Sequence, residues 1–254
     1  MRLNDWVRVL GVSINNLTQT ESIALIESWM LKQDSARSVY IVNAHTLNLA
    51  SENRSYRAAL NAGDRVFADG TGVRWAARLR GVRLKENLVG TDLVPRMFSH
   101  TAGRGYRYYL LGASPGSIER AAKKCETDFP GWTLAGYHHG YVDDADSANV
   151  IEKINAAGPH LLLVGMGNPL QELWIHRHQK QLRVPVCIGV GGLFNHWAGD
   201  LQRAPEWVRR QGIEWLQLLL QQPNKWRRYL LGNPKFLMRI IRELPNDLAG
   251  SSQN

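Results

Sequence analysis

The feature that most constrains the fold of this chain is a series of short apolar runs, each ending at a glycine-rich turn that leads into a helix-like segment. The clearest example is the run 160–164, followed by Gly165 and Gly167 and then by a helical pattern over 170–180. Continuous apolar runs of this length are typical of strands buried on both faces. Because strands and helices alternate, the pattern predicts an α/β fold with a doubly wound, mostly parallel sheet.

The predicted elements occupy most of the chain up to about residue 204. Strands are predicted at 10–14, 38–42, 65–68, 106–111, 132–137, 160–164 and 184–190. Helices are predicted at 18–30, 43–62, 73–79, 116–128, 146–157 and 170–180. From Pro205 onward the pattern is helical only, so we predict a Rossmann-like α/β catalytic domain over 1–204 and a small, basic, all-helical appendage over 205–254.

Composition excludes several classes of protein. Two cysteines among 254 residues cannot form a disulfide framework and show no metal-ligand spacing. His176 and His178 are two residues apart and would point in different directions on a helix, so we expect no metal site. The N-terminus lacks the apolar core of a signal peptide, and no run approaches the ~18 apolar residues of a membrane span. We therefore expect a cytoplasmic protein, and we also expect no cofactor.

The positive charge is concentrated near the C-terminus. The chain carries a net charge of +9, and the segment 201–243 has nine basic and three acidic side chains, an excess of six. Such asymmetry indicates a polyanionic partner. A nucleic acid, a phospholipid surface and a phosphorylated substrate all fit this description.

Polar residues follow the ends of four predicted strands. They are Asn43 with His45, Asp69, Gln171 with Glu172, and Asn195 with His196. The carboxyl ends of parallel strands lie on one edge of a sheet, where α/β proteins bind ligands. These side chains are therefore predicted to share a cleft.

Asp69 has two interpretations. It is a lone carboxylate on a glycine-rich turn after an apolar strand, where partial burial would raise its pKa and suit a general base. Alternatively, it caps the helix that begins near Thr71. The spacing alone leaves both interpretations open.

The glycine turns are also ambiguous. The turn from Gly112 to Gly116 suits a phosphate loop, although it does not match the P-loop and matches the dinucleotide fingerprint poorly. The turn at Gly165 and Gly167 would direct helix N-terminal amides at a ligand. Either turn is equally explained by the backbone geometry of an ordinary strand-to-helix connection.

Taken together, these motifs resemble those of the WecG/TagA/CpsF family of bacterial glycosyltransferases, glycosyltransferase family 26. The similarity runs from about residue 10 to residue 231. The matching blocks are ADGTGV at 68–73, GTDL at 90–93, LLG at 110–112, GMGNPLQE at 165–172, GVGGLF at 189–194, RAP at 203–205, GIEWL at 212–216 and RRY at 227–229. Each block is weak alone, but their shared order and spacing make the resemblance specific.

The resemblance implies inverting, metal-independent transfer of a sugar from a UDP-sugar to a saccharide linked to undecaprenyl diphosphate. Such transfer builds cell-envelope polymers, including exopolysaccharides, at the inner face of the plasma membrane. The resemblance assigns catalysis to Asp69 as general base, with Gln171 and Asn43 contributing. The positions expected to contact substrate are Thr71, Gly72, Asp92, Gly112, Gly165, Gly167, Glu172, Gly191, Gly192, Asn195, Arg203, Arg227 and Arg228. The basic appendage is expected to bind anionic membrane and complete the active site.

The sequence departs from the family pattern at several positions. Asn195 stands where an aspartate is common, and Leu218 and Asn87 stand where arginines are common. The family's threonine near the first site strand has no clear match, and Asn43 and Thr46 are both candidates for it. The segment 43–48 and Asn195 look closer to the exopolysaccharide branch, which includes the xanthan-type glucosyltransferase. We therefore favour UDP-glucose over UDP-N-acetylmannosamine or its uronic acid as the donor.

Two other classes of function fit parts of the sequence. A nucleic-acid-binding protein would use the basic C-terminal region but would leave Asp69 and the strand-end glycines without a role. A nucleotide-dependent oxidoreductase would need a GxGxxG turn in the first βα unit, which is absent. We expect no nucleic-acid partner. The sequence does not decide between a monomer and an oligomer.

Overall fold

The structure is a computed structural model that describes residues 5–32, 35–205, 208, 211 and 214–250, with only the backbone described for 214 and 244–250. Its centre is a six-stranded sheet in which every neighbouring pair of strands is parallel. The strands are β3 (Arg37–Val42), β4 (Arg65–Ala68), β5 (Arg107–Gly112), β6 (Thr133–His138), β7 (Leu161–Gly165) and β8 (Val186–Gly189). Their spatial order is β4-β3-β8-β7-β5-β6.

Nine helices of the described α/β part surround this sheet or connect its strands. They are α1 (Gln19–Lys32), α2 (Ala44–Glu52), α3 (Arg54–Asn61), α4 (Thr71–Leu79), α5 (Gly90–His100), α6 (Pro115–Asp128), α7 (Asp144–Ala157), α8 (Leu170–His178) and α9 (Leu193–Trp197). The predicted α/β fold with a doubly wound parallel sheet is thus confirmed.

The two faces of the sheet bury separate apolar clusters. Along β3, Tyr40 and Val42 belong to the cluster that includes side chains of α2, α3, α4, α7 and α8. Val39 and Ile41 belong to the other cluster, which includes side chains of α1, α5, α6 and α9. Successive side chains of a strand point to opposite faces, so a strand covered on both sides must be apolar throughout. This explains why the strands appear in the sequence as continuous apolar runs.

The first predicted strand, 10–14, was wrong in its bounds. The chain instead forms an antiparallel hairpin of β1 (Trp6–Val9) and β2 (Val12–Asn15). Leu10 and Gly11 form the turn with φ values of 48° and 76°. A two-residue hairpin turn with both φ values positive matches the right-handed twist of the strands, and glycine adopts it without strain.

The helices also differ from the sequence prediction in two places. The single helix predicted over 43–62 is divided into α2 and α3 at Asn53, whose backbone is extended and whose side chain accepts a hydrogen bond from the Tyr56 N–H at 3.0 Å. Helix α5 was not predicted, because it begins at a glycine and contains Pro95. Both residues weaken the helical signal.

The described C-terminal part is helical, as predicted. It comprises a helix Glu214–Gln221, a 3₁₀ turn Pro223–Lys225, a π-helical segment Arg227–Leu231 and the C-terminal helix Gly232–Gly250. The predicted boundary at Pro205 is followed by residues of which several, including Arg209 and Arg210, lie outside the described ranges.

The C-terminal helix packs directly on the α/β part. Phe236 and Ile240 are 1% and 0% exposed and belong to the same apolar cluster as α2 and α4. On the polar side of this contact, Arg239 donates to the backbone oxygen of Asn48 at 3.0 Å and pairs with Glu52 at 2.7 Å. The two parts of the chain therefore share one core, and the division at 204/205 stays a prediction.

Two adjacent isoleucines test this docking. Ile240→Ala should lower the free energy of unfolding by about 2–5 kcal/mol, because it removes fully buried methyl groups and leaves a cavity. The matched variant Ile241→Ala alters a side chain that is 57% exposed and should change stability by less than about 0.5 kcal/mol. Urea unfolding followed by circular dichroism measures both. Equal losses would show that the C-terminal helix does not pack on the core in solution.

Candidate active site

The carboxyl edge of the sheet collects most of the predicted site residues. Asn43, Asp69, Gly112, Gly165 and Gly191 follow or end five of the six parallel strands. Because these strands all run in one direction, the residues lie along a single edge. The ligands of α/β proteins with open parallel sheets bind at this edge.

The glycines of this edge fall into two groups. Those that end strands are needed for close packing: a Cβ on Gly112 would lie 2.4 Å from the Gly165 oxygen, and one on Gly165 would lie 2.7 Å from the Phe194 ring. The turn glycines face open space instead. Gly167 and Gly191 have φ values of 79° and 57°, and no atom lies within 4 Å of an added Cβ on either residue. An added Cβ on Gly192 would likewise have no atom within 4 Å. These turns therefore expose their backbone to a ligand.

Asp69 is half-buried at the end of β4. Its N–H donates to the Val42 oxygen at 2.9 Å, which continues the pairing with β3. The next residue, Gly70, occupies the N-cap of α4 with a φ of 93°, and its N–H donates to Asn87 Oδ1 at 2.7 Å. Asp69 therefore lies one residue before the cap position, and its role as general base stays a prediction.

Asn43 caps α2 beside this carboxylate. Its Oδ1 accepts hydrogen bonds from the N–H groups of His45 at 3.1 Å and Thr46 at 3.2 Å, which satisfies donors that the helix itself leaves free. The start of α4 is close by, since a Cβ on Gly72 would lie 3.6 Å from the Ala44 Cβ. Thr71 is exposed at the first position of α4.

The C-terminal part reaches the same edge. A Cβ on Gly72 would also lie 3.5 Å from the ring of Phe236. The pKa of His45 is lowered to about 4, first by burial and then by the positive charges of Arg228 and Lys225. Two basic side chains of the C-terminal part thus lie near the beginning of α2. Arg227 is exposed, with its guanidinium 5.4 Å from the centre of the Trp226 ring.

Gln171 and Glu172 form a buried polar chain rather than an exposed pair. Gln171 is 1% exposed; its Nε2 donates to Glu172 Oε1 at 2.8 Å, and its Oε1 accepts the Gly191 N–H at 3.0 Å. Glu172 is fully buried and accepts further hydrogen bonds from the Tyr56 hydroxyl at 3.0 Å and from the Asn168 amide. Burial raises the pKa of Glu172 to about 7, although these donors favour the ionised form.

Arg203 and Asp92 bind each other. Their side chains form an ion pair at 2.5 Å, and Arg203 also donates to the Thr91 oxygen at 3.2 Å. Arg203 lines a pocket of about 550 Å³ together with Trp197 and other residues of α5, α6 and α9. Asn195, in α9, donates its N–H to the Gly192 oxygen at 3.1 Å.

Sequence reasoning missed Tyr56 and did not assign a site role to Asn87 or Lys225. A tyrosine in an amphipathic helix is usually a core residue, and no local pattern connects position 56 with position 172. Asn87 was noted only for departing from a family pattern. Its contact with Gly70 depends on the path of the chain between α4 and α5.

Two features are absent from the described ranges, a cluster of metal ligands and a membrane-spanning helix. No group of three or more histidine, cysteine, aspartate or glutamate side chains there is arranged to hold a metal ion. Nor does that part of the chain contain a helix with the length and apolar character required to cross a bilayer.

Comparison with known proteins identifies relatives along nearly the whole chain. Residues 7–249 match the family model described as "Glycosyl transferase WecG/TagA/CpsF family". Curated relatives carry the name N-acetylglucosaminyldiphosphoundecaprenol N-acetyl-beta-D-mannosaminyltransferase. One from Bacillus spizizenii is 31% identical, covering 88% of this chain and 86% of its own. Those from Bacillus subtilis and Staphylococcus aureus strain MW2 are 30% and 31% identical, covering 91% and 93% of this chain and 89% and 92% of theirs.

The buried carboxylate predicts a specific pH dependence of stability. The pKa of Glu172 is raised from 4.5 to about 7 by folding, so the folded state binds the proton more tightly. Its contribution to stability is present below pH 4.5 and is lost as the pH rises through 7. The Tm of the wild type should therefore fall relative to that of Glu172→Gln between pH 4.5 and 7. Differential scanning calorimetry measures this difference.

The exposed Glu152 of α7 provides the matched control. Glu152→Gln should follow the wild type at every pH. A difference between wild type and Glu172→Gln that stays constant over this window would contradict the titration of a buried carboxylate.

Proposed function

Because this chain belongs to the WecG/TagA/CpsF family of glycosyltransferases, we propose that it transfers a hexose from a UDP-sugar to a saccharide linked to undecaprenyl diphosphate. The names of its relatives include both a diphosphoundecaprenol acceptor and a transferred hexosamine. The product would serve the synthesis of a cell-surface polysaccharide such as an exopolysaccharide.

The observation that carries the proposal is the combination of a carboxylate and cations at one edge of the sheet. Asp69 is half-buried there, and Lys225 and Arg228 are close enough to His45 to lower its pKa. A transferase needs a base for the acceptor hydroxyl and positive charge for the departing diphosphate. These three side chains supply both requirements.

In the proposed reaction, Asp69 accepts the proton of the acceptor hydroxyl as the oxygen attacks the anomeric carbon of the donor. A new glycosidic C–O bond forms on one face while the C–O bond to UDP breaks on the other, so the configuration inverts. The electron pair of the broken bond leaves with UDP. Lys225 and Arg228 would stabilise the negative charge on its diphosphate, so we propose that the reaction needs no metal ion.

Two donor sugars fit the proposed reaction. Asn195 and the segment 43–48 favour UDP-glucose, whereas the relatives are named for transfer of N-acetylmannosamine. In the proposed reaction UDP carries either sugar. The two donors are therefore compared directly in the experiment below.

We also propose that the C-terminal part holds the protein at the inner face of the plasma membrane. Leu220, Leu230 and Leu231 are at least half exposed, and Trp226 is 44% exposed beside the cation of Arg227. Exposed apolar side chains interleaved with basic ones suit the surface of an anionic bilayer. Such a position would bring the active-site edge to its lipid-linked acceptor.

Release of UDP from a panel of donors tests the function. With a short-chain prenyl-diphosphate-linked saccharide and EDTA present, we expect release from one UDP-sugar, UDP-glucose or UDP-N-acetylmannosamine. Asp69→Asn should fold and bind the donor but lose turnover by roughly 100-fold to 10,000-fold, because it lacks the base.

Asp146→Asn, an exposed substitution in α7, is the control and should retain full turnover. Near-normal turnover by Asp69→Asn would rule out the general-base assignment. Absence of UDP release from every donor by folded wild-type protein on vesicles would reject the proposed reaction.

Charge reversal tests the membrane proposal without removing the docked C-terminal helix. Arg227→Glu should weaken binding to vesicles that contain anionic phospholipid by about tenfold or more, since each charge near the surface contributes on the order of 1 kcal/mol. Lys153→Glu makes the same change at an exposed position in α7 and should bind as the wild type does. Vesicle co-sedimentation measures both, and equal weakening by the two variants would mean that binding follows net charge alone.

A further inference from the structure

Glu172 lies in the core directly behind the candidate active-site edge. Its Oε1 accepts from Gln171 Nε2 at 2.8 Å and from the Asn168 amide, and its Oε2 accepts from the Tyr56 hydroxyl at 3.0 Å. These donors belong to α8, the turn before α8, and α3. The carboxylate therefore joins three segments, and its side chain is fully buried.

The hydrogen-bond donors around this carboxylate are all neutral. The titratable groups facing it are Tyr56 from α3 and Tyr40 from β3, and burial is the first cause of the raised pKa of both. Within the described ranges Glu172 forms no ion pair. Burying a carboxylate without a counter-ion costs stability. Its two oxygens together accept three hydrogen bonds. A side-chain amide has only one oxygen that accepts.

The carboxylate determines which way the Gln171 amide faces. An ionised carboxylate only accepts hydrogen bonds, so the NH₂ group of Gln171 must point toward it. The amide oxygen then points the other way and accepts the Gly191 N–H at 3.0 Å. The amide also packs on β8, because a Cβ on Gly189 would lie 3.0 Å from Gln171 Nε2.

We propose that Glu172 is a positioning residue which, through the amide of Gln171, fixes the Gly191–Gly192 turn at the active-site edge. Gly191 has a φ of 57°, and Gly192 is exposed with no atom within 4 Å of an added Cβ. This turn follows β8 and leads into α9, which carries Asn195. The inference rests on the proposed function, in which the turn forms part of the cleft for the nucleotide sugar.

A charge on Glu172 should hold the turn more firmly than a protonated carboxyl group. Hydrogen bonds to an ionised acceptor are the stronger kind, and bonds arranged in a chain reinforce each other. Protonation would weaken the bond from Gln171 and permit its amide to turn over. Because the pKa of Glu172 is about 7, the change would fall near neutral pH.

Kinetics of Glu172→Gln test the inference. We expect the KM for the UDP-sugar to rise by on the order of 10-fold to 100-fold with a smaller change in kcat, because a displaced turn impairs donor positioning. In the wild type, kcat/KM should fall as the pH drops through 7, and this step should be absent from the variant. Glu152→Gln should retain both the wild-type KM and the wild-type step.

Tyr56→Phe provides a second test that preserves the core volume. It removes one donor to the ionised carboxylate, so the midpoint of the step should move to higher pH. A role for Glu172 in stability alone would not move that midpoint. An unchanged midpoint in Tyr56→Phe, or an unchanged donor KM and pH step in Glu172→Gln, would overturn the inference.

The outcomes also separate this inference from the proposed function. Wild-type protein that releases no UDP from any donor would reject the function itself. Wild-type protein that is active, with Glu172→Gln variants that retain its donor KM and its pH step, would reject only the positioning role.

Discussion

The structure depends on the burial of β7 between β5 and β8, with helices covering both faces. A strand in this position is covered on both faces and is therefore apolar throughout. Gly165 meets Gly112 across the pair with β5, at a distance that leaves no room for a Cβ. This close pairing brings the turns after β5, β7 and β8 to one edge, where the candidate active site is formed.

The C-terminal helix extends this arrangement across α2 and α4. Phe236 enters the core beside Gly72, and Arg239 binds the backbone of Asn48. The packing stabilises the positions of the helix starts that follow β3 and β4. It also explains why Arg228 and Lys225 lie near His45 although they are some 180 residues away in the chain.

The buried polar chain from Tyr56 through Glu172 and Gln171 to Gly191 differs in character from this apolar core. Apolar packing alone leaves the orientation of a glycine turn poorly determined, because glycine accepts many backbone conformations. Directional hydrogen bonds restrict the orientation of such a turn. Burying a carboxylate without a counter-ion costs stability, which suits a role at the active site, where local stability is often given up for geometry.

The sequence by itself determined the alternation of strands and helices, the parallel sheet, the glycine turns and the family, because each depends on residue types at short spacing. It also located Asp69 and Asn43 at strand ends. The hairpin at Leu10, the break at Asn53 and helix α5 were missed, since turn geometry and tertiary packing outweighed the local pattern. Only the tertiary structure decided that Glu172 is buried, that Tyr56 is its partner and that the C-terminal helix shares the core. The physical reason is that these contacts join residues far apart in sequence, and their free energy comes from burial that no local pattern encodes.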